Sequence, residues 1–392
     1  MHATVHIDGI EPFDIEDGVW SDLDAALPEA GADRLIYAAA HVVMLPSYTE
    51  CTHTPETPGP GEAIASYIDW DATLDVRQHL AGHGVGIAEA MDTAQRFELG
   101  WTAAWELIQR TGAAGMDFVA GAGTDHREIS RPNDLVDAVV EQVHRIQDAG
   151  GNAVLLPMPL LSTTNAPART YVDIYANIID QCDGPLIVHW LGPMFLESMA
   201  GYFPGDAFQR VMRHDPDTVR GAKLSLLDAD LERTLRTALA SDDQLMLTGD
   251  DFNFGALMTD SNVVERYVPF GDRQVPLGDF SHALLGVLDG MPHPASIAMR
   301  ALAADGLDDA RHILTTCETL GRTIFETPTP LYKCGLAFLA YVNGVQDVFD
   351  LPNHLHRSRD HAWYGKVLRE ASRCGAIADA ASAATRAAAA LS

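Results

Sequence analysis

Eight short apolar runs, each followed by an amphipathic stretch, are the feature of this 392-residue chain that most constrains its fold. The stretches between the runs have apolar residues three and four positions apart, which predicts helices. Strands that alternate with helices imply parallel strands joined by helical crossovers, and eight such units close a barrel. The runs lie at 34–43, 84–91, 116–123, 152–159, 185–190, 220–226, 244–249 and 281–288.

An open, doubly wound sheet is the competing architecture. Such a sheet usually carries a glycine-rich phosphate turn after its first strand, and AAAHVVMLP has none. The sequence therefore predicts an α/β fold, a (β/α)₈ TIM barrel over residues 31–304. A leader of residues 1–30 precedes it, and a helical region of residues 305–392 follows, because the strand pattern stops there. The Pro/Thr-rich loop 45–63 is predicted to be either a lid or a disordered surface loop.

Charge and composition exclude several functions. Lys plus Arg number 26 against 55 Asp plus Glu, a formal net charge of −29. Nucleic acids and anionic membranes both require clustered positive charge, so neither is an expected partner. No run of about 18 apolar residues is present to span a bilayer. The five cysteines are scattered without CxxC spacing, which favours a reduced, cytoplasmic location.

Lys223 stands inside the apolar strand pattern VRGAKLSLL and is one of only three lysines. Burial disfavours the charged form of an amine and lowers its pKa. A neutral amine is a nucleophile that forms a Schiff base with a carbonyl compound. The alternative is an edge position, or an apolar stem whose charged end reaches a partner.

The segments GAKLSLLD and LTGDD (247–251) resemble the Schiff-base strand and the seventh strand of the dihydrodipicolinate synthase and N-acetylneuraminate lyase superfamily of class I aldolases. NAVLLPMPLL resembles that family's fourth strand, and the similarity of pattern and order covers residues ~34–325. The resemblance implies a divergent branch of the superfamily. It also implies that Lys223 forms the imine and that the protein is a homo-oligomer.

The chain departs from this family where substrates are bound. Pyruvate-using members hold the substrate carboxylate with a Thr/Ser pair after the second strand, but here the segment is EAMDT (89–93). A carboxylate there repels an anionic substrate, although Thr93 can donate one hydrogen bond. His189 takes the place of the family's fifth-strand Tyr, where an imidazole can act as general acid and base. No Arg follows in 190–194. The substrate is therefore predicted to be a polyhydroxy carbonyl compound such as a keto-sugar, not pyruvate with aspartate semialdehyde.

Polar residues recur where the strands are expected to end, and active sites of barrels lie at the carboxyl ends of strands. The candidates include His126 and Asp251, which are strand-end residues without an assigned role. The alternative is structural: His41 and His282 are core histidines, Asp125 caps a helix, and one of Asp250 and Asp251 caps the helix that follows them. The predicted catalytic residues are Lys223 and His189, and the predicted substrate-binding residues are His41, Glu89, Asp92, Thr93, Asp125, Asp250 and His282.

The leading hypothesis is therefore a lyase of carbohydrate metabolism that acts on a small carbonyl compound and needs no cofactor. A first alternative is an aldolase or sugar isomerase that uses Mn²⁺, Mg²⁺ or Zn²⁺ on the same barrel. Its ligands would be Glu89, Asp125, His189 and His282. A second alternative is a sugar-binding barrel without catalysis. Residues 332–334, YKC, are predicted to serve packing or an interface.

Overall fold

The computed structural model describes residues 1–129 and 131–391. Its strands in chain order are β1 (His2–Val5), β2 (Phe13–Glu16), β3 (Ile36–Ala39), β4 (Gly86–Glu89), β5 (Phe118–Ala122), β6 (Asn152–Leu155), β7 (Leu186–Leu191), β8 (Val219–Ser225), β9 (Leu245–Thr248), β10 (Arg266–Phe270), β11 (Arg273–Leu277) and β12 (His282–Leu285).

The α-helices are α1 (Ser21–Ala26), α2 (Gly61–Ala65), α3 (Trp70–Gly82), α4 (Arg96–Leu99), α5 (Trp101–Ala113), α6 (Pro132–Asp148), α7 (Pro159–Thr163), α8 (Ala168–Ile179), α9 (Ala207–Met212), α10 (Ala229–Ala240), α11 (Phe254–Met258), α12 (Pro292–Ala303), α13 (Leu307–Ile324), α14 (Tyr332–Val342), α15 (His361–Arg373) and α16 (Ala380–Ala390). Among the described residues, no helix combines the length and the apolar character needed to cross a bilayer.

Strands β3–β9 and β12 form a closed parallel barrel in which β12 pairs with both β9 and β3. Each of these strands lies, to within one residue, inside one of the eight apolar runs. The prediction of a (β/α)₈ barrel followed by C-terminal helices is therefore confirmed. The strands were recognisable because their residues are buried on both faces, against the barrel interior and against the surrounding helices.

An antiparallel hairpin of β10 and β11 lies between the last two barrel strands and was not predicted. Its buried side chains Val268, Phe270, Val275 and Leu277 join the apolar cluster inside the barrel. Arg273 pairs with Asp117, which immediately precedes β5. The hairpin therefore closes the amino-terminal end of the barrel.

The hairpin was overlooked because Pro269 and Pro276 interrupt its pattern. Proline is unusual inside strands and is confined to edges, where no ladder hydrogen bond is lost. Apolar and polar residues alternate on both sides of a Gly-Asp turn, as in a hairpin. This pattern indicates two strands only if a proline is accepted within each of them.

The first residues of the chain pack against its last helices. Strands β1 and β2 pair antiparallel, and the Glu16 amide donates to Ser372 Oγ at 2.8 Å. The Trp20 indole donates to the Cys374 carbonyl at 2.8 Å. These bonds join the leader to α15 and to the turn that follows it.

The Pro/Thr-rich loop is fastened to the C-terminal helical region. Tyr48 Oη accepts from the Asn353 amide at 2.8 Å, and the Gly59 amide donates to Asn353 Oδ1 at 3.0 Å. His354 Nε2 lies 2.8 Å from the Cys51 carbonyl oxygen. A loop held at three points along its length is part of the ordered structure, which contradicts the disordered loop, one of the two predicted alternatives.

Candidate active site

A cavity of about 370 Å³ opens at the carboxyl end of the barrel. The barrel strands and their following loops supply most of its wall, and Phe325 and Tyr332 come from the C-terminal helical region. The residues that border it are Ala39, Met91, Asp92, Thr93, Phe97, Gly123, Thr124, Asp125, Leu156, Pro157, Pro159, His189, Leu191, Phe195, Leu196, Lys223, Ser225, Asp251, Gly286, Phe325 and Tyr332.

Lys223 projects from the middle of β8 into this cavity and is 9% exposed. No described residue lies within hydrogen-bond or ion-pair distance of its Nζ. Burial lowers the pKa of Lys223 to about 8, against the weaker opposing effect of the Asp251 and Asp92 carboxylates. A substantial fraction of the amine is therefore neutral near pH 8, as a nucleophile requires.

Gly249 makes room for the lysine. A Cβ at this position would lie 2.9 Å from Lys223 Cε and 2.3 Å from Ser225 Oγ. Real side chains do not approach so closely, so only glycine leaves the Lys223 stem in place. This contact gives a physical reason for the glycine in the segment LTGDD.

His189 is opposite Lys223 in the β7–β8 register and is 4% exposed. Its Nε2 lies 3.2 Å from Ser225 Oγ, and its buried Nδ1 has no hydrogen-bond partner among the described residues. Burial and the Lys223 charge hold the pKa of His189 well below its usual value. The ring is therefore neutral at physiological pH, with one nitrogen left over for a ligand or a proton.

The structure separates the roles of the tandem aspartates. Asp251 borders the cavity, accepts a hydrogen bond from the Val287 amide at 2.9 Å, and has its pKa raised by burial to about 7. Asp250 instead accepts from the Phe252 and Asn253 amides at 2.9 and 3.1 Å. The expectation that Asp250 binds substrate is thus corrected: its carboxylate holds the turn before α11, and Asp251 faces the cavity.

Asp92 and Thr93 meet a tyrosine from the C-terminal region. Tyr332 Oη lies 2.8 Å from Thr93 Oγ1 and donates to Asp92 Oδ2 at 3.2 Å. The Lys333 ammonium pairs with the same carboxylate at 2.9 Å. The ring of Tyr332 stacks on Phe325 with centroids 4.4 Å apart. Tyr332 was predicted to serve packing or an interface, but the residue also borders the cavity. The available signal for this position was a lysine next to it in an otherwise apolar helix.

Asp125 borders the cavity but is engaged by an arginine beneath the wall. Arg96 Nε and Nη2 donate to its two oxygens at 2.9 and 2.7 Å, and Gln142 adds a third bond at 3.1 Å. Burial would raise the pKa of Asp125, but the Arg96 guanidinium outweighs it and holds the pKa below the usual range. Asp125 is therefore an anionic, fixed part of the wall.

Glu89 does not reach the cavity, which corrects the prediction that it binds substrate. It is fully buried at the end of β4 and receives two bonds of 2.9 Å from Arg77 and one of 2.8 Å from Thr111. Burial opposes ionisation, yet Arg77 lowers the pKa of Glu89. Successive strand side chains alternate between faces, and this one points outward to α3 and α5.

His41 and His282 were predicted to bind substrate or, alternatively, to be core histidines, and the structure places both in the core, away from the cavity. His41 Nδ1 lies 2.5 Å from Asp289 Oδ2, and its Nε2 lies 2.7 Å from Gln346 Oε1. It therefore ties the end of β3 to the C-terminal region. His282 begins β12 rather than ending it. Its Nδ1 accepts from the Leu35 amide at 3.0 Å and its Nε2 lies 3.1 Å from the Pro276 carbonyl, beside the β10–β11 hairpin.

The four residues named as ligands in the alternative, metal-dependent hypothesis are dispersed. Asp125 and His189 border the cavity, Glu89 faces outward, and His282 lies at the opposite end of the barrel. Within residues 1–129 and 131–391, the one group close enough to share an ion is Asp350, His354 and His356. It lies outside the cavity, where Asp350 accepts from Thr49 and pairs with His356 at 2.9 Å.

The fold is similar to that of solved barrel structures, at low sequence identity. A dihydrodipicolinate synthase from Bacteroides thetaiotaomicron has a TM-score of 0.62 and 14% identity, covering 87% of this chain and 98% of that one. A putative dihydrodipicolinate synthetase from Pseudomonas aeruginosa has 0.58 and 14%, covering 86% and 99%. An N-acetylneuraminate lyase from Mycoplasma synoviae has 0.53 and 12%, covering 87% and 98%.

These similarities confirm the expected resemblance at the level of the fold and agree with a divergent branch. No curated protein sequence matches the chain significantly. One family model matches residues 20–392. Because that match covers nearly the whole chain, the protein belongs to the family described as "Protein of unknown function (DUF993)", on the barrel fold of the dihydrodipicolinate synthases and N-acetylneuraminate lyases.

Proposed function

We propose that this protein is a Schiff-base-forming lyase of the class I aldolase type, with Lys223 as the nucleophile. The observation that carries the proposal is the Lys223 amine itself: it is buried, unpaired among the described residues, and directed into a cavity that His189 and Asp251 also border. Solved neighbours named as synthases and lyases share the fold, which supports a lyase-type enzyme.

The chemistry begins when the neutral Nζ of Lys223 attacks a substrate carbonyl carbon. The carbonyl oxygen leaves as water, and a protonated imine remains. A base then removes the proton of a hydroxyl on the β-carbon, and the bond between the α- and β-carbons breaks. Its electron pair moves into the imine to give an enamine, and the β-carbon leaves as a carbonyl product. Protonation at the α-carbon and hydrolysis of the imine release the second product and restore the amine.

His189 is the proposed base for this step. Its unpartnered Nδ1 and neutral ring suit the removal of a hydroxyl proton and its later return. Asp251, with a pKa raised to about 7, is placed to exchange a proton with the amine during the loss of water. These two groups supply the acid and base that imine formation and cleavage both need.

The substrate is a neutral carbonyl compound rather than pyruvate in this proposal. The cavity wall contains Asp92 and no arginine among its described residues, so nothing there pairs with a substrate carboxylate. The polyhydroxy keto-sugar was predicted from Asp, Glu and His at the strand ends, but Glu89, His41 and His282 face elsewhere. The homo-oligomeric state, the role in carbohydrate metabolism and the cytoplasmic location stay predictions from the sequence.

Borohydride trapping tests the proposal. The protein is incubated with a panel of keto-acids, keto-sugars and simple ketones, with and without a chelator, reduced, and analysed by intact mass and peptide mapping. We expect one adduct, on Lys223, that survives chelation. Lys223→Met removes it, and Lys366→Met, at a lysine whose side chain is 59% exposed, leaves it unchanged. An adduct that is absent with every compound, or that maps to another lysine, contradicts the proposal.

A further inference from the structure

We propose that the substrate of this site is an uncharged ketone or aldehyde that carries an aromatic or alicyclic group. The inference rests on the proposed function, because it assumes that the carbonyl carbon reaches Lys223. It adds the chemical class of the remainder of the substrate, which neither the fold nor the imine mechanism determines.

Large apolar side chains line the outer part of the cavity. Phe97 is 62% exposed and Leu196 is 44% exposed, yet both border the cavity, so they form its mouth. They are two of the six large apolar side chains exposed within the described residues. Met91 and Phe195 continue the apolar wall inward. Exposed apolar surface at the entrance of a pocket is characteristic of a site that binds an apolar ligand.

Cations that could bind an anionic group are already engaged. Arg96 is the guanidinium beneath the wall, and its donors all bond to the protein: to the two oxygens of Asp125, to Gln142 and to the carbonyls of Ala90 and Gly121. Lys333 is buried and pairs with Asp92. Among the described residues, the cation that remains on the wall is Lys223. Its nitrogen becomes part of the imine in the proposed mechanism, so it cannot bind a separate anionic group.

Carboxylates on the wall act against an anion as well. Asp92, Asp125 and Asp251 all border the cavity. A substrate carboxylate or phosphate would be desolvated beside them without a compensating partner, which is costly. The cavity is thus built for an uncharged molecule.

A polyhydroxy chain finds few partners here for all of its hydroxyls: the wall carboxylates can accept hydrogen bonds, but Asp92 and Asp125 already receive bonds from the protein. The hydroxyls of Thr93 and Ser225 already contact Tyr332 and His189. Each substrate hydroxyl left without a partner in a buried pocket costs about 1–3 kcal/mol. An apolar ring gains a comparable amount by leaving water. The volume of about 370 Å³ is at the small end of ligand pockets and suits one ring beside the carbonyl group.

The test compares trapping probes matched in size. Phenylacetone, phenylpyruvate and erythrulose present a ketone with an uncharged ring, the same ring with a carboxylate, and a polyhydroxy chain. Acetone reports imine chemistry alone. We expect the concentration of phenylacetone that half-saturates the Lys223 adduct to be at least about tenfold lower than that of either phenylpyruvate or erythrulose.

Two variants at the mouth test the apolar wall without disturbing the core. Leu196→Ser and Phe97→Ser change exposed side chains, so the fold is retained. Each is expected to weaken phenylacetone trapping several-fold and to weaken acetone trapping by a much smaller factor. Val264→Ser is the matched control, since Val264 is 41% exposed and does not border the cavity.

The outcomes separate this inference from the proposed function. Better trapping of erythrulose or phenylpyruvate on Lys223, or equal effects of Leu196→Ser and Val264→Ser, overturns the inference and leaves the imine mechanism standing. Failure of all four probes, acetone included, to label Lys223 overturns the proposed function and this inference together.

Discussion

His189 and Lys223 occupy paired positions on β7 and β8, so a buried imidazole and a buried amine face one cavity side by side. The positive form of either group is disfavoured by burial, and the lysine charge lowers the pKa of the histidine further. The imidazole is therefore neutral at physiological pH, and because the pKa of Lys223 is about 8, part of the amine next to it is neutral as well. In the proposed mechanism the amine is the nucleophile and the imidazole the proton acceptor.

The rate of imine trapping is expected to follow the deprotonation of Lys223. Because the reactive form is the neutral amine and the pKa of Lys223 is lowered to about 8, the rate rises as pH increases and levels off above roughly pH 9. A pH profile of the initial trapping rate with acetone checks this. A profile that still rises steeply above pH 10, as an ordinary lysine gives, contradicts a buried amine.

Asp251→Asn is expected to move that profile to lower pH. The Asp251 carboxylate favours the ammonium form of Lys223, so its removal lowers the lysine pKa further. The midpoint of the trapping profile reports the shift. Asp217→Asn, at a fully exposed side chain, is the control and leaves the midpoint unchanged. An unchanged midpoint in Asp251→Asn would show that the two groups do not interact.

His189→Gln is expected to separate imine formation from turnover. Glutamine can keep a hydrogen bond to Ser225 but cannot exchange a proton, so trapping on Lys223 persists while turnover falls about 10²–10⁴-fold. Steady-state kinetics on a substrate found by trapping measures the loss. Ser225→Ala, which removes the hydrogen-bond partner alone, has a smaller effect. Equal losses in both variants would make His189 a positioning residue.

Tyr332→Phe tests the contribution of the C-terminal region to the site. The variant keeps the ring stacked on Phe325 and removes the bonds to Thr93 and Asp92. We expect the unfolding free energy to fall by about 0.5–1.5 kcal/mol. We expect kcat/KM to fall by more than this loss of stability accounts for when both are expressed as free energies. Tyr341→Phe on the same helix is the control. Parallel losses in the two variants would assign Tyr332 to packing alone.

Glu89→Gln is expected to affect stability rather than chemistry. The change leaves Arg77 buried without its carboxylate, which costs about 3–5 kcal/mol in urea unfolding. At a temperature where the variant stays folded, the Lys223 adduct still forms. Adding Arg77→Met to Glu89→Leu restores part of the lost stability, because no charge then remains unpaired. If the Glu89→Gln protein had normal stability but formed no trapped adduct on Lys223, Glu89 would have to contribute to the site.

The barrel and the position of Lys223 in its interior could be predicted because both depend on local patterns. Apolar runs of strand length, separated by helical periodicity, define eight parallel strands. The side chain of a lysine in the middle of such a strand points either into the barrel interior or towards the surrounding apolar helices, and only the interior contains a cavity for its amine. His189, two residues before the end of β7, follows the same logic and also reaches the cavity.

The remaining site residues could not be assigned because one position along a strand changes the face. Glu89 is the last residue of β4 and points outward, while Asp92 lies just beyond and points in. Asp250 and Asp251 are likewise neighbours that face different surroundings: Asp250 bonds to the turn before α11, and Asp251 borders the cavity. His282 was misplaced because its apolar run marked a strand without marking where in the run the strand begins. Tyr332 is distant in sequence, and no local pattern relates it to the barrel.

The position of Tyr332 has a consequence for how the protein is made. During synthesis the segment with Lys223 leaves the ribosome well before Tyr332 and Phe325, which complete the cavity wall. A nascent chain that had already folded its strands would hold the Lys223 amine in a cavity whose wall is incomplete. The cavity is therefore complete only after Phe325 and the start of α14 have docked, and a chain interrupted before them would lack this part of the cavity wall.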